Sequence, residues 1–230
     1  MWVRILPLIA AAVMVCLIPV SASAQLDKIS NQDASSGLRA MLEKGAGAAV
    51  DLLARPDGFF GNPKVKIPLP ESISKVDKLM HNLGMGKYSD QLVLTMNRAA
   101  ESAMPEARTL LVDAVKKMSV QDAKGILTGG QDSATQYFKR TTSDQLRARF
   151  LPIVKKATEK VQLAEKYNQY AEKGVKLGLV RKDDANLDSY VTQKTLDGLF
   201  VMVAEQEKKI RDNPAQAAST IISKVFGALK

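Results

Sequence analysis

Residues 143–161 read SDQLRARFLPIVKKATEKV. Within them Leu146, Phe150, Ile153, Val154, Ala157 and Val161 fall three or four apart, and Ala164 and Tyr167 continue the row. That spacing is the period of a helix with one buried stripe. Thr142 or Ser143 opens it, and it is expected to run to about Lys173.

The same period governs most of the chain. Leu38, Met41, Leu42, Ala49, Val50 and Leu53 mark a first helix, which Arg55-Pro56-Asp57-Gly58 must end because proline disfavours helix in the residue before it. Ile73, Val76, Leu79, Met80 and Leu83 mark a second, stopped by Gly84 and Gly86. Leu92 to Ala103 make another, and Pro105 starts or kinks the next through Leu110, Leu111 and Met118. Ser119 is an N-cap for Val120–Leu127, and Asp132 for a short piece holding Tyr137 and Phe138. After the long helix and a break at Gly174–Leu187, a helix from about Ser189 to Asp212 is followed by one that Asn213-Pro214 starts and Ile221, Ile222, Val225, Phe226 and Leu229 bury. The expected fold is all-α, a single compact bundle of about nine helices spanning residues 25–230.

One segment breaks the pattern. From Phe59 to Pro70 the chain reads FFGNPKVKIPLP, with prolines at 63, 68 and 70 and an alternating Val65, Ile67, Leu69 face. It is expected to be an extended strap after the first helix, pinned by those three side chains.

The N-terminus places Arg4 before an apolar run from Ile5 to Val20 and closes on Ser21-Ala22-Ser23-Ala24. Charge, short apolar core and A-x-A site make a cleavable signal peptide, 1–24, cut between Ala24 and Gln25. The run carries Pro7 and Pro19 and is shorter than the roughly 20 residues a spanning helix needs. No later segment is apolar enough to span. The sole cysteine, Cys16, leaves with the signal, so a disulfide, a thiol nucleophile and a thiolate metal site are not expected in the mature chain.

The formal net charge is +9. Cations come in short groups such as Lys116-Lys117, Lys139-Arg140, Lys155-Lys156 and Lys208-Lys209, which read first as wet helix faces and second as attraction to an anionic partner. Outside the cytoplasm that partner is lipid headgroups or an acidic envelope protein. Aromatic residues, at 5%, are too few for stacking platforms, which argues against nucleic acid.

Catalytic arrangements are scarce. A single histidine, His81, supports neither a zinc pair nor a serine relay. Gly45-Ala46-Gly47-Ala48-Ala49-Val50 lacks the last glycine of a dinucleotide loop and sits in a helical pattern, where small residues let helices approach. Asp184, Asn186 and Asp188 occupy the first, third and fifth positions of a calcium loop, but Ser189 and Thr195 stand where the glycine and the bidentate acid belong. The competing reading is that Asp188 or Ser189 caps the following helix. No other cofactor is expected. Faces combining Asn97, Arg98 and Glu101, or Asp197, Phe200, Glu205 and Arg211, read as polar contacts at the core edge; alternatively they line a cleft with Arg98 or Arg211 facing an anionic ligand.

Longer words recur in order: Asp57-Gly58-Phe59, Ile67-Pro68-Leu69-Pro70, Met96-Asn97-Arg98-Ala99-Ala100-Glu101 and Ala134-Thr135-Gln136-Tyr137-Phe138. Leu187-Asp188-Ser189-Tyr190-Val191-Thr192, Leu196-Asp197-Gly198-Leu199-Phe200 and Ile210-Arg211-Asp212-Asn213-Pro214 follow. With them nearly all of the mature chain resembles the exported bacterial family called domain of unknown function 4197. The resemblance implies a secreted helical protein of a Gram-negative type cell and brings no catalytic residues. The expected function is a non-enzymatic binding or interaction protein of the periplasm, contacting its partner through Phe59, Phe60 and the strap. The alternatives are a binder of an amphipathic anionic molecule such as a lipid, and a metal-free hydrolase using carboxylates.

Overall fold

The computed structural model describes residues 31–71, 74, 81–82, 86–159, 167–168, 171, 175–176, 178 and 185–213. These residues form five helices and no strand: α1 (Asn31–Leu53), α2 (Lys87–Lys116), α3 (Val120–Thr128), α4 (Ser133–Thr158) and α5 (Leu187–Asp212). None of the described helices is long and apolar enough to cross a membrane. The proposed signal, the helix expected around Val76 and the helix expected after Pro214 lie outside the described residues.

Two expected boundaries are absent, and with them the count of nine. α2 runs through Pro105 without ending. α4 runs unbroken through Thr141-Thr142-Ser143, where a new helix was expected. The reason lies in the three hydroxyls: each donates to the carbonyl four residues back, Tyr137 at 2.8 Å, Phe138 at 2.7 Å and Lys139 at 2.6 Å. Residues that read as a cap thereby satisfy themselves inside a helix.

The core sits where α1, α2, α4 and α5 meet. Leu38, Leu53, Met96, Met104, Leu111, Phe138, Leu146, Phe150 and Leu187 are fully buried there, each worth about 1.5–3 kcal/mol of burial. Gly45 of α1 faces α5, and Gly47 faces the Arg108 side chain of α2. A Cβ at Gly45 would lie 3.5 Å from Ile210 of α5, and one at Gly47 would lie 3.3 Å from Arg108 of α2.

The start of α3 is a capping box: Ser119 Oγ accepts the Asp122 N–H at 3.0 Å, and Asp122 Oδ2 accepts the Ser119 N–H at 3.2 Å. Hydrogen bonding from Ser119, then from Arg140, holds the Asp122 carboxyl below the usual range. A depressed carboxylate pKa stabilises the fold above the unfolded pKa, and that contribution disappears as pH falls through the folded one. Ser119→Ala is therefore expected to cost about 1 kcal/mol at neutral pH. Urea melts against pH check it: the gap between variant and parent should narrow as acid titrates Asp122.

Candidate functional site

The strap after α1 is fixed at every turn. Asp57 adopts a left-handed conformation, φ 65°, and a Cβ at Gly58 would strike the Leu53 carbonyl at 2.5 Å, so glycine is required there. Glu101 of α2, buried, accepts the N–H groups of Phe59 and Phe60 on Oε1 at 3.1 and 3.2 Å. Its Oε2 takes Arg98 Nη1 at 2.6 Å, and Arg98 Nη2 reaches Asp57 at 2.7 Å. Glu101 and then Asp57 raise the Arg98 pKa above its ordinary value.

One turn earlier, fully buried Asn97 accepts the Ile67 N–H at 2.8 Å and donates to the Ile67 carbonyl at 2.9 Å. Its amide pairs with the extended chain as a neighbouring strand would, satisfying two backbone groups that burial would otherwise penalise. From the other side Tyr190 of α5 donates to the Pro68 carbonyl at 3.0 Å. Val65, Ile67 and Leu69 are buried and Lys64, Lys66 and Pro68 exposed, as expected, but the strap is not extended throughout. Phe59–Val65 is a succession of turns, with Asn62 N–H on the Phe59 carbonyl at 3.2 Å and Lys66 N–H on the Asn62 carbonyl at 2.8 Å, and only 66–70 is free of turns.

The two phenylalanines separate. Phe59 is 0% exposed and lies against Gly198 of α5, where a Cβ would come within 2.6 Å of its ring. The expectation that Phe59 touches a partner is corrected: it is a core anchor, and only Phe60 reaches the surface. Phe60 is half-buried, with Lys66 Nζ 4.2 Å above its ring and Arg98 at 5.9 Å. It forms one wall of a groove of about 530 Å³ completed by His81, Gly86, Lys87, Asp90, Gln91 and Leu94. That volume falls in the range of small-ligand sites, roughly 300–1,000 Å³.

His81 lies in this groove beside two potential relay partners. Its Nε2 is 3.3 Å from Ser89 Oγ and 3.5 Å from Asp90 Oδ1. A serine relay needs the hydroxyl and the carboxylate on opposite ring nitrogens; here both approach the same one. Among the described residues no three His, Cys, Asp or Glu side chains converge as a metal site would require.

Arg211 is held away from the groove, in a second clamp. Glu207 of α5, buried, accepts the Ala134 and Thr135 N–H groups at 3.0 and 2.9 Å and the Thr135 hydroxyl at 2.8 Å. It thus caps α4 from outside, where the expected cap, Asp132, makes no side-chain cap bond. Arg211 donates to Glu207 at 3.0 Å, to the Ile126 carbonyl at 3.1 Å and to Ser133 Oγ at 2.9 Å. The structure does not bring Arg98 and Arg211 to one cleft. Each is spent on a buried glutamate of its own helix. Sequence reasoning passed over Glu207, although its spacing of four from Arg211 was a usable signal.

Of the calcium-loop residues, Asp184 lies outside the described residues. Asn186 caps α5 by accepting the Ser189 N–H at 2.9 Å, the role expected of Asp188 or Ser189. Asp188 instead accepts the Thr158 hydroxyl at 2.5 Å, linking α5 to the end of α4. With Asn186 and one oxygen of Asp188 engaged within the fold, a chelator is expected to leave the melting temperature unchanged. A fall on chelation, checked by calorimetry and reversed by calcium, would restore the loop.

The family model described as "Protein of unknown function (DUF4197)" matches residues 28–227. The chain belongs to that family. No curated protein and no solved structure matches it. The words on which the resemblance to DUF4197 rests fall largely on the strap and its clamps: Asp57-Gly58-Phe59, the Asn97-Arg98 and Glu101 positions of α2, and Tyr190 and Gly198 of α5.

Proposed function

We propose that the protein is exported to the periplasm of a Gram-negative type bacterium, loses residues 1–24, and acts at the cell envelope as a non-enzymatic binding or interaction protein. The groove beside Phe60 is its contact site. The observation that carries this reading is the division of labour in the strap: Glu101, Asn97 and Tyr190 hold the backbone while Phe60 is left on the wall of an open groove. A rigid support with an apolar ring at the surface is what a binding site needs and costs little ordering on contact. Apolar Phe60 and Leu94 beside the cations Lys66 and Lys87 favour, as a second reading, an amphipathic anionic occupant such as a lipid.

Non-denaturing mass spectrometry of protein released gently from its own envelope tests both. Added mass that extracts as lipid and vanishes in Phe60→Ala supports the second reading. A protein partner crosslinked to the parent and lost in Phe60→Ala supports the first. A bare chain with an unchanged crosslinking pattern in Phe60→Ala would overturn the site.

A further inference from the structure

Charge is spread unevenly over the five helices. α2 and α3 hold as many acids as cations, and α1 and α5 hold one acid more. α4 holds six cations, Lys139, Arg140, Arg147, Arg149, Lys155 and Lys156, against the single acid Asp144. All six are exposed.

Neighbouring elements neutralise only part of this. Arg140 reaches Asp122 of α3 at 2.9 Å, and Lys155 lies 3.9 Å from Glu159. Arg147 donates to Gln193 of α5, which is neutral. Among the described residues Arg149 and Lys156 have no acid within ion-pairing distance. The row Arg147, Leu151, Lys155, each four residues on, sets an exposed leucine between two cations, with Ala148 and Pro152 exposed beside it. Lys139 leans over the Phe200 ring of α5 at 5.8 Å, and Arg147 and Arg149, two residues apart, stand on opposite flanks of the exposed side. The cations therefore line a broad arc that runs about 24 Å from Arg140 to Lys156 at about 1.5 Å per residue.

We propose that this face of α4 lays the protein on the surface of an anionic phospholipid bilayer, its cations over headgroup phosphates and Leu151 at headgroup level. A small anion would use one or two of these charges. A plane of phosphates engages a convex rod along its whole length, and each cation near such a surface adds about fivefold to binding. The apolar stripe of α4 is committed to the core through Leu146, Phe150 and Val154, so the contact is chiefly electrostatic, with Leu151 its one exposed large apolar side chain. The proposal shares with the reading above only the placement at the envelope; it is independent of what fills the groove.

Vesicle co-sedimentation with the full chain tests it, using vesicles of phosphatidylglycerol with phosphatidylethanolamine against vesicles of phosphatidylcholine alone. The parent should prefer the anionic vesicles by at least about tenfold, and lose that preference near 1 M salt, where the screening length falls to about 3 Å. Arg147→Gln, Arg149→Gln, Lys155→Gln and Lys156→Gln together should weaken anionic binding by at least about tenfold. Lys116→Gln, Lys117→Gln, Lys208→Gln and Lys209→Gln, of the same net charge, should weaken it by less than about threefold. Circular dichroism confirms folding of each, and if the α4 quadruple variant does not fold, Arg149→Gln with Lys156→Gln decides. Equal losses in the two quadruple variants, equal partition onto both vesicle types, or no binding to either would overturn the proposal. The Phe60→Ala mass spectrometry above reads the groove by itself, so failure of this face and failure of the groove are distinguishable.

Discussion

Glu207→Ala is expected to destabilise the protein by about 3–5 kcal/mol, the usual cost of removing one partner from a buried ion pair. Three donors lose their acceptor at once, the Ala134 and Thr135 N–H groups at the start of α4 and the Thr135 hydroxyl. Arg211, its side chain only 13% exposed, loses its ion pair with Glu207 in the same step. For a chain of this length about 1 kcal/mol moves the melting temperature by roughly 2–4 °C, so a fall of about 10 °C is expected. Thermal melts check it, and the double variant Glu207→Ala with Arg211→Ala adds a control. Because the two side chains bond each other, the pair should be less destabilising than the sum of the two single changes. Strict additivity would mean that the two side chains do not act as one clamp.

Phe59→Ala is expected to cost about 3–5 kcal/mol, because a fully buried ring leaves a cavity as well as losing its transfer energy. Gly198→Ala approaches the same contact from the other side. Alanine favours helix over glycine by about 1 kcal/mol, but here its Cβ would lie 2.6 Å from the Phe59 ring and 3.2 Å from Val65. Overpacking of about 1–3 kcal/mol outweighs the propensity gain because the ring has nowhere to move. Phe59→Leu frees that space, so Gly198→Ala should be tolerated better in the Phe59→Leu background than in the parent. Denaturant melts of the four proteins read the coupling. Phe59→Ala melting like the parent would return Phe59 to the surface.

The sequence made the helical class legible because its apolar period is long and regular, as at Leu146, Phe150 and Val154. The strap was legible only in part: the alternating face does turn Val65, Ile67 and Leu69 inward, but the turns that fill Phe59–Val65, closed by bonds such as Lys66 N–H to the Asn62 carbonyl, left no periodic mark in the sequence. Boundaries were not legible at Thr141-Thr142-Ser143, where the same hydroxyl that caps a helix can bond back inside one. The long-range clamps were hidden for a different reason. Glu101 to Phe59, Asn97 to Ile67 and Glu207 to Thr135 join residues distant in the chain, and period alone does not say which backbone group a buried carboxylate or amide will meet. Polar residues on a helix face therefore announced themselves, while their partners did not. Phe59 and Phe60 were indistinguishable as letters; the left-handed turn at Asp57 sends one inward and leaves the other at the groove.

Hydrogen exchange of the strap tests most directly whether Phe60 stands on a fixed support. The amides of Phe59, Phe60 and Ile67 are held by Glu101 and Asn97. They should exchange only in the slow openings that also expose the helix core, with Glu101→Gln speeding Phe59 and Phe60 while leaving the amides of α4 slow. Exchange of those three amides at the rate of an unstructured peptide would contradict the account, because the strap would then lift freely and no preformed groove would exist beside Phe60.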